Sequence, residues 1–153
     1  KEIMSRRILY EKQKTDANTA NEIIIEHENL SYKLNQENKT AELFRNDSDR
    51  KDILIPTYIE HEGIQYFVTS IFKQTFKNCK TIRSIQFPAD SKLIIIGSYA
   101  FNLSTLETIS IPSSLTDLKK GWCNNTKNLL YIKSKIQLIF ATIIFVYDLL
   151  YLF

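Results

Sequence analysis

Between Ala100 and Ser114 the chain reads AFNLSTLETISIPSS, with apolar positions that suit neither a helix nor a loop. Leu106, Ile109 and Ile111 follow an L-x-x-I-x-I spacing, and Pro112 stops the run. That run is too short for a helical period and too regular for an irregular segment. Strand side chains alternate, so Ile109 and Ile111 point inward while Thr108 and Ser110 point outward. Pro112 has no backbone N–H and ends pairing there. The preceding Gly97 to Phe101 predicts a compact turn that inserts Phe101 into a core.

The phrase recurs. Its copies are SIFKQTFKNCKTIRSIQFP (Ser70 to Pro88), IIGSYAFNLSTLETISIP (Ile95 to Pro112) and DLKKGWCNNTKNLLYIKS (Asp117 to Ser134). Ile71, Ile96 and Leu118 open the units, 25 and 22 residues apart. Phe76, Phe101 and Cys123 each follow five positions later, which assigns Cys123 to the phenylalanine slot in the core. Ile82, Leu106 and Leu129 start the short apolar run, and Ile85, Ile109 and Ile132 continue it. Phe87-Pro88 and Ile111-Pro112 end it, whereas the third copy has Ser134 in place of proline. One such unit cannot bury its own apolar side, but stacked units share a continuous core. A solenoid is therefore predicted.

These residues resemble the BspA-like leucine-rich repeat family, whose unit reads approximately I-x-x-x-A-F-x-x-C-x-x-L-x-x-I-x-I-P. Ile71, Phe76, Cys79, Ile82, Ile85, Phe87 and Pro88 match it in the first copy. Ile96, Ala100, Phe101, Leu106, Ile109, Ile111 and Pro112 match in the second, with one residue deleted before Leu106. The segment LKKGWCNNTKNL is similar to a variant in trichomonad surface-antigen sets. The likeness spans Ser70 to Ile132, and YKLNQENKTAEL and IPTYIEHEGIQYFVTSI resemble the family's lead-in from Tyr32. The resemblance implies a β-rich solenoid of α+β class with an N-terminal β-hairpin cap. It also implies a non-catalytic, protein-binding surface protein that contacts host cells, extracellular matrix or other microbes. Family members usually carry more units, so two clear copies and a degenerate third read as a truncated or fragmentary member, which leaves open a reading without independent function. The first residue, Lys1 rather than Met, agrees with a fragment, a processed form or a start at Met4.

Domain boundaries follow from these patterns. Residues 1–30 mix Lys, Glu, Asn and Thr with a single apolar cluster, Ile23 to Ile25, and read as a poorly ordered, partly helical lead. Residues 31–69 read as a β cap of two hairpins. The first joins Tyr32 to Leu34 with Ala41 to Phe44. The second joins Ile53 to Ile55 with Gln65 to Ser70, turning near His61-Glu62-Gly63. Residues 70–134 hold the repeats (70–88, 95–112 and 117–134).

The tail Ile136 to Phe153, IQLIFATIIFVYDLLYLF, is hydrophobic with one formal charge, Asp148. A membrane helix needs about 20 apolar residues, so its length just suffices. Two other readings stay open: a helix or strand pair packed over the last repeat, and a translated frameshift. Lys127, Lys133 and Lys135 precede the tail, and the positive-inside rule would hold an anchored repeat domain in the cytoplasm. That location competes with the surface location implied by the resemblance. The opening thirty residues lack the apolar stretch of a signal peptide.

Composition narrows the chemistry. The 153 residues carry a net charge of +3, too small and too scattered to suggest a nucleic-acid partner. Three glycines are few, so turns must draw on Asn, Asp, Ser and Lys. His27 and His61 lie among carboxylates on expected exposed segments, and there is no Gly-rich phosphate loop, so neither a catalytic site nor a cofactor is expected. Cys79 and Cys123 form no C-x-x-C motif and sit at non-equivalent repeat positions, which predicts thiols rather than a bridge and no metal site. Sequons stand at Asn38, Asn46, Asn102 and Asn124. What remains is the outward strand face: Ser84, Gln86, Thr108, Ser110, Tyr131 and Lys133. Short polar side chains at equivalent places suit recognition of an unidentified protein ligand. A merely solvated strand face would have the same composition.

The tail reading has a direct test. A membrane anchor at Ile136 to Phe153 keeps the full chain in the membrane pellet through carbonate extraction. Its removal then releases a repeat domain with unchanged circular dichroism. A cap gives the opposite pair of results: a carbonate-extractable chain, and a lower melting temperature on removal.

Overall fold

A computed structural model describes residues 22–134, which form eleven strands and, within that range, no helix. The helical component of the expected α+β class therefore has no counterpart among the described residues, and the tail at 136–153 lies outside them. No described helix is long and apolar enough to cross a membrane.

The chain begins with a three-stranded antiparallel meander of β1 (Ile23–His27), β2 (Leu30–Asn35) and β3 (Thr40–Asn46). The apolar cluster expected in a loosely ordered lead is thus a strand. Ile23 and Ile25 pack partly against the core, and β1 holds the edge by pairing Ile25 opposite Tyr32. The β2–β3 hairpin is the one expected from Tyr32 to Phe44, with Leu34 opposite Ala41 and polar residues in the turn.

The second expected hairpin is corrected. Ile53 belongs to β4 (Asp52–Leu54), which runs parallel to β7 (Ser84–Gln86) and places Ile53 opposite Ile85. The antiparallel partner of β6 (Ile64–Ile71) is instead β5 (Tyr58–His61), joined through Glu62-Gly63. Alternation in DILIP reports a strand but not its partner, because a period of two is the same for a hairpin and for a rung in a stack.

Two parallel ladders then run through the molecule. One extends β3–β6–β8–β10, with β8 at Ile95–Ile96 and β10 at Asp117–Leu118. The other is β4–β7–β9–β11, with β9 at Thr108–Ile111 and β11 at Tyr131–Ser134. In the first ladder Leu43, Ile71, Ile96 and Leu118 stand opposite one another in turn. In the second, Ile53, Ile85, Ile109 and Ile132 do so. Each coil thus contributes one rung to each ladder, and the rung Leu43/Ile53 precedes the repeats legible in the sequence. Pro56, Pro88 and Pro112, the chain's three prolines, all follow the same rung position.

The corners repeat as faithfully as the rungs. Gln74, Tyr99 and Gly121 share one left-handed backbone position, at φ 62°, 56° and 62°. Asn78, Leu103 and Asn125 share another, at 59°, 58° and 53°. Only one of these six residues is glycine. Asn tolerates this conformation through local side-chain bonding, whereas leucine bears the full steric cost of its Cβ. Gly97 answers a different demand. Its N–H donates to Ile71 O at 2.8 Å, and a Cβ there would stand 2.6 Å from Lys73 N and 2.7 Å from Phe72 C.

The core between the ladders carries an aromatic stack. The Phe76 and Phe101 rings lie parallel with centroids 5.0 Å apart, and Phe101 meets Trp122 edge-on at 6.2 Å. All three are buried. This corrects the expectation that Cys123, in the phenylalanine slot, fills the core. Backbone register does pair the two, since Phe101 N–H donates to Trp122 O just before Cys123. The ring, however, comes from Trp122, one residue earlier, and Cys123 only packs partly against the core. Ala100-Phe101 and Trp122-Cys123 are small-large and large-small versions of one pair, so total volume is kept while the large member changes place. Leu93 and Leu115, buried at equivalent places, complete the core beneath β8 and β10.

Two outcomes are expected. Phe101→Ala and Trp122→Ala should each lower stability by about 3–5 kcal/mol in urea melts of the full chain, and Cys123→Ala by less than about 1 kcal/mol. Leu103→Asn should raise stability by about 0.5–1 kcal/mol, and the reciprocal Asn78→Leu should lower it by a similar amount.

Candidate protein-binding face

The β4–β7–β9–β11 ladder sets its polar residues in columns because parallel strands in register place equivalent positions side by side. Asp52, Ser84, Thr108 and Tyr131 form one column. Leu54 stands opposite Gln86, and Ser110 opposite Lys133, on the strand positions two residues further on. All six residues singled out from the sequence therefore lie on this ladder.

They are not equally available. Gln86 is exposed, and Thr108 and Ser110 are half-exposed. Ser84 departs from the expectation of an outward, open hydroxyl. It is buried, and its Oγ donates to Asp52 Oδ1 at 2.6 Å. The carboxylate of the preceding rung covers it, and reading that rung as half of a hairpin hides this partner. Ser110 Oγ accepts from Phe87 N–H at 3.1 Å and closes the ladder where β7 ends. For Tyr131 and Lys133 the structure sets the backbone register, opposite Thr108 and Ser110.

Sequence reasoning misses two neighbours of this face. Leu54 is 55% exposed, an apolar element at the head of an otherwise polar column. Arg83 and Glu107, just before β7 and β9, form an ion pair at 2.9 Å with both side chains about two-fifths exposed (42% and 41%). At that exposure the pair contributes little to stability, about 0–1 kcal/mol, but it fixes two opposite charges at the rim. Their spacing in the repeat, one residue ahead of Ser84 and Thr108, is the signal that could have found them.

Elsewhere the titratable groups are dispersed. Among the described residues no three of His, Cys, Asp and Glu come together as metal ligands. His61, half-buried at the end of β5, has its Nε2 4.0 Å from the exposed Glu62 carboxylate, and His27 is exposed at the end of β1. Burial, reinforced by the charge of Glu28, pushes the Tyr32 phenol above its ordinary value, so it stays protonated. Cys79 and Cys123 are both thiols; Cys79 Sγ accepts from Asn46 Nδ2 at 3.6 Å.

Stacked coils, paired parallel ladders and aligned apolar columns define a leucine-rich repeat solenoid. A family model described as BspA type Leucine rich repeat region (6 copies) matches residues 44–143, and the chain belongs to that family. The match begins ahead of Ser70, in agreement with the added rung at Ile53. No curated protein sequence matches the chain.

Solved structures share the fold. A leucine rich cell surface protein from Faecalibacterium prausnitzii A2-165 is 21% identical with a TM-score of 0.61, covering 76% of this chain and 32% of its own. The leucine rich repeat protein of T. pallidum is 18% identical with a TM-score of 0.60, covering 71% and 48%. The pneumococcal vaccine antigen PcpA is 21% identical with a TM-score of 0.53, covering 74% and 38%. The chain thus spans about a third to a half of these relatives.

Proposed function

We propose that this protein is a non-catalytic protein-binding module, displayed as a surface antigen or adhesin that contacts host or matrix proteins. The observation that carries the reading is the ladder face on which Gln86, Thr108, Ser110, Tyr131 and Lys133 stand in register beside exposed Leu54. Polar side chains in register on a rigid sheet offer hydrogen bonds without an ordering cost, and an apolar contact at one end adds affinity. In this reading the β1–β2–β3 meander and the β5–β6 hairpin shield the first open face of the stack, and the repeats do the binding. The surface location is supported by a relative described as a cell surface protein and another described as a vaccine antigen.

A second reading has its own observation. Lys127, Lys133 and Lys135 ahead of the apolar Ile136 to Phe153 suit an intracellular repeat scaffold anchored by its tail.

The test uses the full chain on beads against fibronectin, laminin and epithelial monolayers. Leu54→Lys with Gln86→Lys, both at exposed positions, should reduce attachment at least tenfold while circular dichroism and melting temperature stay unchanged. Equal attachment by the variant would overturn the face. Protease applied to intact expressing cells separates the two locations: cleavage of the repeats supports display, and protection supports the scaffold.

A further inference from the structure

The four sequons do not share one environment, and the stack itself sorts them. Asn102 and Asn124 occupy the same repeat position, 22 residues apart as Ile96 and Leu118 are. In the second coil, Asn102 is half-buried. Its carboxamide oxygen is buried without a hydrogen-bond partner among the described residues. In the third coil, Asn124 is exposed, while its backbone carbonyl accepts from Leu103 N–H at 3.1 Å. Asn46 is half-buried and fully engaged: Oδ1 accepts from Ser48 N–H at 3.2 Å and Nδ2 donates to Cys79 Sγ. Ser48, the hydroxyl residue of that sequon, is itself buried. Asn38 sits exposed in the β2–β3 turn, its backbone N–H held by Asn35 Oδ1 at 3.0 Å and its side chain in solvent.

We propose that Asn38 and Asn124 are the two acceptor sites for N-linked glycans, and that Asn46 and Asn102 are excluded in the folded protein. In the transfer, the side-chain amide nitrogen bonds to the anomeric carbon of an oligosaccharide carried on a lipid pyrophosphate. The anomeric carbon–phosphate oxygen bond breaks, its electron pair leaves with the lipid pyrophosphate, and the amide proton passes to a base of the transferase. An accessible amide nitrogen and a following Ser or Thr are required. Of the four, only Asn38 and Asn124 are exposed; Asn46 and Asn102 are half-buried, and the hydroxyl residues of their sequons, Ser48 and Ser104, are buried. Both sites also lie in turns outside β4, β7, β9 and β11, so glycans there leave the ladder face uncovered. The acceptor assignment stands on geometry alone; only its biological use rests on the surface reading.

The experiment treats the folded full chain, in mild detergent, with a purified oligosaccharyltransferase and a lipid-pyrophosphate oligosaccharide. Four short peptides, one per sequon, serve as the unstructured reference, and sites are mapped by mass spectrometry. The expected result is labelling at Asn38 and Asn124 within about threefold of their peptides and at least tenfold protection at Asn46 and Asn102. An N38Q/N124Q double variant should take no glycan. Labelling of Asn46 or Asn102 at the rate of their peptides, or no labelling at Asn38 and Asn124, would overturn the assignment. Protease protection on intact cells bears only on location, so failure of the surface reading and failure of the acceptor sites are separate results.

Discussion

Each coil must approach the next closely enough for backbone to bond backbone at the corner as well as along the rungs. Gly97 is where that demand is tightest, with its N–H on Ile71 O and no space for a Cβ against Phe72 and Lys73. The same approach aligns Gln74 N–H with Ser98 O and Phe76 N–H with Ala100 O, and between the next coils Tyr99 N–H with Lys120 O and Phe101 N–H with Trp122 O. Buried amides cannot be left unpaired without a cost of about 1–3 kcal/mol each, so the corner bonds set the register and the side chains follow.

The aromatic stack is the consequence. Once the corners align, Phe76 and Phe101 face each other, and the third coil must present a ring to the exposed edge of Phe101. Trp122 does so from a neighbouring backbone position. Volume and contact, rather than residue-by-residue identity, are kept from coil to coil, which is how a repeat tolerates drift in its sequence. The left-handed corners show the same tolerance, with Gln, Tyr and Leu accepted where Gly or Asn would relieve strain.

Function follows from what stacking leaves outside. Parallel register turns scattered hydroxyls into columns, and the rim pair of Arg83 and Glu107 adds two opposite charges in a defined place. Stacking also covers: Ser84 is buried beside Asp52 and Asn102 is half-buried with its carboxamide oxygen sealed, whereas their repeat equivalents Thr108 and Asn124 are more open. A residue's role depends on its coil as much as on its place within the unit.

Period and phase are legible in the chain alone. Spacing makes Ile71, Ile96 and Leu118 equivalent, and they stand opposite one another in the fold, as do Ile85, Ile109 and Ile132. Such spacing persists in sequence because the core selects apolar residues at fixed intervals. The rung at Ile53 escapes a reading by repeats, although Pro56 marks it, because the polar NDSDRKD lacks the aromatic that identifies a coil. Strand partners, the exchange of Cys123 for Trp122, and the burial of Ser84 and of the Asn102 carboxamide oxygen are decided only in three dimensions. Each depends on what lies across from a residue, and a chain read in one dimension carries intervals along itself but not the neighbour that packing brings to the other side.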